Sequence, residues 1–223
     1  MGPYLKGDTL LSILFMAVLL MWAQQASMAA GPEIPSPGVP SDPSPALSQL
    51  NQMERIHAGL LEIGMMAGYG KAVRIGATQD DRRQYAIFNP RFGIFLTDVI
   101  GKVPYKGSME LIAEPIGMFQ FEPKQLYAVG LSALLRYNFW TGSKIIPFLD
   151  AGAGVMGTNF GPPEQGSIFN FQLQAGAGLH IFVKQGLALT FQYRLHHISN
   201  ANTADPNLGI NSNLFLAGLS IFY

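Results

Sequence analysis

The sequence predicts an all-β fold, an eight-stranded antiparallel transmembrane β-barrel. Three observations carry the expectation. The 223 residues are 48% apolar and only 13% charged, against roughly 25% charged in a soluble domain. Beyond the N-terminus no apolar run approaches the ~20 residues of a spanning helix, and only helices and closed barrels cross hydrocarbon without unpaired backbone groups. From His57 onward the chain alternates in polarity with period two, in segments bounded by turn residues. The formal net charge is zero, which argues against a nucleic-acid binder. The absence of cysteine excludes disulfide scaffolds, thiolate zinc sites, Cys nucleophiles and a Cys-anchored lipoprotein.

Residues 1–30 read as a secretory signal. Lys6 lies in the basic region, Leu10 to Trp22 is the apolar stretch, and Ser27-Met28-Ala29 offers small residues for cleavage. An uncleaved anchor is the alternative reading. Residues 31–56 read as a Pro-rich periplasmic linker, with six of the 15 prolines between Gly31 and Gln49 and no apolar periodicity. Residues 57–223 are the barrel domain.

Eight strands are predicted at about 57–74, 84–97, 107–121, 126–140, 145–158, 167–183, 187–200 and 211–223. Thr141 to Lys144 and Lys184 to Gly186 are tight connections, whereas Gly76 to Arg83 and Gly161 to Gly166 are longer and polar. Short turns at one end and long loops at the other fit an outer-membrane barrel. In the sixth segment Phe169, Phe171, Leu173 and Ala175 share one face, opposite Asn170, Gln172 and Gln174. Across segments the polar faces carry Glu62, Glu110, Glu114 and Asp150 against Arg91, Arg136 and Arg194. A narrow lumen can neutralise these as one hydrogen-bonded network. A soluble lipocalin-like barrel, with an apolar interior, has no use for such a face. The Ala-Gly-Ala-Gly tracts at 151–154 and 175–178 are symmetric about Glu164-Gln165, which predicts a hairpin setting them side by side. The last segment alternates to a terminal aromatic, Ile221-Phe222-Tyr223.

The seventh segment is the chemical candidate. Leu187, Leu189, Phe191, Tyr193 and Leu195 form its lipid face, and parity carries His197 and Ser199 onto that face. Thr190, Gln192, Arg194 and His196 point into the lumen. Side chains at i and i+2 stand roughly 6.6 Å apart along a strand, a gap that an imidazole can bridge to a hydroxyl as base to nucleophile. If the next hairpin centres on Ala204, Asn211 lies opposite His197 and also faces lipid, in the place of the residue that orients a base. Polar residues at the interfacial end of a barrel strand are common, so spacing alone leaves a purely structural reading open. His57, His180 and His196 are read as structural.

His197-Ile198-Ser199-Asn200-Ala201, then Pro206-Asn207-Leu208-Gly209-Ile210 and the aromatic terminal strand, resemble the lipid A 3-O-deacylases of the PagL type. The similarity is strongest over 193–223. It implies an eight-stranded outer-membrane barrel with a serine esterase site on its lipid-facing wall, removing the acyl chain ester-linked at the 3-position of lipid A. It implies Ser199 as nucleophile, His197 as base, Asn211 in the third position, and Asn200 and Asn207 as helpers for the oxyanion. The family has an acid where this chain has Asn211, so Asp205 or Glu164 is a loop alternative. No metal or cofactor is implied. The implied partners are lipopolysaccharide in the outer leaflet and the outer-membrane assembly machinery, and a homodimer is compatible with the pattern. Two rival functions stay open, a non-enzymatic structural barrel and an esterase for acyloxyacyl or phospholipid bonds.

Overall fold

The computed structural model describes residues 56–74 and 81–223. The predicted signal segment, and the predicted linker up to its last residue, lie outside the described residues, as does part of the first long loop. Eight strands follow in order: β1 (Leu61–Val73), β2 (Gln84–Phe95), β3 (Gly107–Glu122), β4 (Leu126–Phe139), β5 (Ile145–Thr158), β6 (Phe169–Lys184), β7 (Leu187–Ser199) and β8 (Ile210–Phe222). Each pairs antiparallel with its neighbours, and β8 pairs with β1 to close the barrel. Closure leaves no sheet edge, which is what hydrocarbon demands of a strand-built span.

Alternation assigns the two faces. Phe88, Phe92, Leu131, Leu173, Phe191, Phe215 and Leu219 are exposed on the outer wall, while Asn89, Arg91, Ser132, Arg136, Gln174 and Arg194 are buried in the lumen. This inside-out polarity excludes the lipocalin-like alternative. One circuit of paired residues runs Ile63, Phe92, Ala113, Ala133, Ala153, Leu173, His197, Asn211 and back to β1 at Val73. Hydrogen-bonded rows therefore climb toward the loop end on passing from β1 round to β8, and the strands tilt accordingly, by about 40°.

The lumen is filled in three layers. At the loop end Met66, Tyr85, Ile116, Met156, Phe160, Ile198 and Leu214 pack together. At the end holding the C-terminus Leu60, Phe95, Trp140, Ile146, Phe182 and Phe222 do the same. Between them lies the predicted charge network. Arg91 Nε and Nη2 donate to Glu114 Oε2 at 3.0 and 2.8 Å, and Arg194 pairs with the same carboxylate. Arg136 reaches Glu62 at 3.1 Å and Asp150 at 3.0 Å. Gln192 Nε2 donates to Asp150 at 2.8 Å. Fully buried guanidiniums are tolerable only with such satisfaction.

Two expectations are corrected. The Ala-Gly tracts do adjoin, but Ala151 pairs with Ala175 and Leu149 with Ala177, so the hairpin is centred on Pro163 and the tracts are offset. Residues facing each other across a ladder must point to the same side of the sheet, and a centre between 164 and 165 would pair opposite faces. The ends are also less segregated than expected. The loop end includes the short 123–125 connection, and the opposite end carries 96–106, held by the Ile100–Gly107 bridge.

Candidate active site

The β7–β8 hairpin builds the site. Its register pairs His197 with Asn211, Leu195 with Asn213 and Tyr193 with Phe215, the pairing expected for a centre at Ala204. His197, Ser199 and Asn211 are half-buried on the outer wall, alternating with the buried His196, Ile198 and Asn200. His197 Nδ1 bonds Asn211 Oδ1 at 2.7 Å. An amide oxygen only accepts, so Nδ1 carries the proton and Nε2 is left with a lone pair. Ser199 lies one side-chain step further along the same face. Its Oγ has no hydrogen-bond partner among the described residues, and the one bond of the imidazole is that to Asn211.

Beneath His197 the wall is bare backbone. Gly209 has φ +68°, and a Cβ built there would lie 2.9 Å from His197 Cε1. The glycine serves both the left-handed turn and the close approach of the ring. Sequence reasoning named Gly209 only as part of the Pro206–Ile210 stretch and gave it no role of its own.

Beyond Ser199 the loop is organised by two asparagines. Asn200 Nδ2 donates to Ala204 O at 2.8 Å and Pro206 O at 3.2 Å. Its backbone N–H donates to Asn207 Oδ1 at 3.0 Å, while Asn207 Nδ2 donates to Asn202 Oδ1 at 2.8 Å on the exposed surface. Ala201 and Asn202 both take positive φ, 53° and 60°, a costly backbone for non-glycine residues that the surrounding bonds enforce. The β5–β6 loop clamps this turn. Gly166 N donates to Pro206 O at 2.7 Å and Leu208 N to Glu164 O at 3.0 Å. The Glu164 carboxylate, a loop candidate for the third position, is buried against Arg83 at 2.5 Å. Asp205 is exposed in the loop. The contact to His197 Nδ1 is Asn211.

Of the other histidines, His196 Nε2 bonds Gln172 in the lumen at 2.9 Å and His180 Nδ1 bonds Thr190 at 2.8 Å. His57 is exposed and bonds the adjacent carbonyl. Among the described residues no group of acids and histidines is placed to hold a metal.

Lipid A deacylase PagL of Pseudomonas aeruginosa is 35% identical over 100 residues, which are 44% of this chain and 51% of the relative. The chain thus spans about half the length of the curated relative it matches. Neisserial surface protein A shares the barrel fold, with a TM-score of 0.51 at 18% identity over 74% of this chain and 99% of that one. The crystal structure of the outer membrane enzyme PagL is similar with a TM-score of 0.49 at 22% identity, over 70% of this chain and 97% of that one. The family described as lipid A 3-O-deacylase (PagL) matches residues 68–220, a span from within β1 to within β8 that includes all of β7, the β7–β8 turn and most of β8, and the chain belongs to that family.

Proposed function

We propose that this chain is an outer-membrane esterase that removes the acyl chain ester-linked at the 3-position of lipid A. Ser199 acts as nucleophile, His197 as general base and Asn211 as the group that orients it. The observation that carries the reading is the His197–Asn211 bond of 2.7 Å on the outer wall, with Ser199 two residues along the same face of β7. Family membership supplies the substrate class. Signal segment 1–30, linker 31–56 and barrel 57–223 are the proposed organisation, with the aromatic end at Tyr223 offered to the assembly machinery.

In the proposed reaction Ser199 Oγ–H gives its proton to His197 Nε2 as Oγ bonds to the ester carbonyl carbon. The carbonyl oxygen becomes the oxyanion. Asn207 Nδ2, whose bond to Asn202 is exposed, turns to donate to it. Asn200 supports that donor by fixing Asn207 Oδ1 through its own backbone N–H. The tetrahedral centre then collapses, the sugar oxygen leaves with the proton from Nε2, and an acyl-serine remains. Water deprotonated by His197 releases the fatty acid. Asn211 holds the tautomer throughout but adds no charge to balance the imidazolium, unlike a carboxylate. Substrate held in the same leaflet as the hydroxyl supplies orientation without a binding cleft.

Lipid A mass spectrometry from cells expressing the wild type and Ser199→Ala tests the assignment. Loss of one 3-linked acyl chain, present with wild type and absent with Ser199→Ala, is expected. Loss of a secondary acyl chain instead would place the chemistry at an acyloxyacyl bond. No change with either protein would leave a structural barrel.

A further inference from the structure

On the outer face of β1, in line with Ile63, Met65 and Tyr69, stands an exposed lysine, Lys71. It is flanked by amides on both sides. The β1–β2 register sets it opposite Gln84, and the β1–β8 register opposite Asn213. Directly opposed side chains start about 5 Å apart at Cβ. Each amide is fixed by a tyrosine. Tyr69 Oη donates to Gln84 Oε1 at 2.9 Å, and Tyr193 Oη donates to Asn213 Oδ1 at 2.7 Å. With both amide oxygens occupied, Gln84 Nε2 and Asn213 Nδ2 have only N–H bonds left to offer. Neither group, nor Lys71 Nζ, has a partner among the described residues. The acid nearest in register, Glu122, lies on the far side of Gln84 on β3. Three unused donors carrying one positive charge converge on a wall otherwise covered by aromatic and aliphatic side chains.

The position relates the trio to the esterase site. Asn213 is two residues from Asn211 on the same face of β8. The row through His197 and Asn211 meets β1 at Val73. Ser199 stands one side-chain step to the loop side of that row, and Lys71 one step to the other side. Because rows climb toward the loop end from β7 to β1, the two offsets compensate in part and Lys71 lies only about 4 Å deeper in the membrane than Ser199. Strand spacing and rise put their Cα atoms about 16 Å apart, and the lysine side chain shortens that reach.

We propose that Gln84, Lys71 and Asn213 form a subsite for a phosphomonoester on the sugar headgroup of the substrate, fixing which ester lies over Ser199. A tetrahedral dianion takes one ammonium and two amide donors, and charge-assisted bonds of this kind are about twice as strong as neutral ones. The identity of the bound lipid rests on the esterase reading, but the anion chemistry of the trio does not.

The test has a binding arm and a kinetic arm. Ser199→Ala barrel in detergent micelles is titrated with bisphosphorylated lipid A and with enzymatically dephosphorylated lipid A. Preference for the phosphorylated form by about tenfold is expected, and Lys71→Gln added to this background should erase it. Lys71→Arg should restore most of it. Lys184→Gln, which removes a lysine at the opposite end of the barrel, should leave it intact. In the kinetic arm the same preference should appear in KM rather than kcat. Equal affinity for both lipids, or a preference that survives Lys71→Gln, overturns the subsite. Displacement of the lipid by inorganic phosphate at equal concentration also overturns it, assigning the donors to soluble anions. A barrel that binds the phosphorylated lipid through Lys71 but cleaves nothing would uphold the subsite and refute the esterase.

Discussion

At the scale of single residues, the site depends on what holds His197. Asn211 fixes the tautomer through a 2.7 Å bond but leaves the imidazolium without a counter-charge. Asn211→Glu should raise turnover by roughly tenfold, about 1.4 kcal/mol of barrier, and Asn211→Ala should lower it, both read as lipid A deacylation in micelles at equal folded fraction. If both match wild type while Ser199→Ala is inactive, position 211 does not orient the base. Gly209 gives a second expectation. A methyl there meets the imidazole at 2.9 Å and must adopt φ +68°. Gly209→Ala should therefore remain folded and lose turnover by about tenfold to a hundredfold, because small displacements of a base are costly. Unchanged activity would show that the ring does not need that wall. The placement of His197, Ser199 and Asn211 together on the outer wall was legible in the sequence because strand parity and one hairpin centre determine it. Gly209 and the Tyr193–Asn213 pair were not, since each acquires its meaning from a side chain on another strand.

At the scale of elements, strand positions were legible throughout, because each strand must alternate to face lipid and lumen at once. The apolar lumen layers were not. Met66, Ile116, Ile198 and Leu214 fall on the lumen parity, and alternation alone does not say that a barrel's inner ends are apolar while its middle is charged. The offset of the Ala-Gly tracts escaped for a related reason, since sequence symmetry is blind to which faces a register joins. The charged layer predicts a stability effect. Glu114 pairs with both Arg91 and Arg194. Glu114→Ala strands two buried guanidiniums and should cost about 3–5 kcal/mol, seen as a lower denaturant midpoint of the refolded barrel. A midpoint equal to wild type would mean that the remaining acids take over both arginines.

At the scale of the whole molecule, the orientation of both faces can be read directly. Nitroxides at 197 and 199 should report a lipid environment and one at 196 a lumenal one. The reverse would mean a slipped β7 register and would dismantle the site. The mature protein should run as a heat-modifiable β-rich species in the outer-membrane fraction. A soluble, mainly helical form would refute the barrel. The placement of Ser199 on the outer wall of a plugged cylinder has a kinetic consequence. No substrate can arrive through the interior, so every collision is lateral, within a sheet of lipid one leaflet thick. The relevant concentration is then a mole fraction on a surface. Diluting lipid A with inert detergent at constant bulk molarity should slow the reaction in proportion, while diluting the whole suspension with buffer should leave the rate per barrel unchanged.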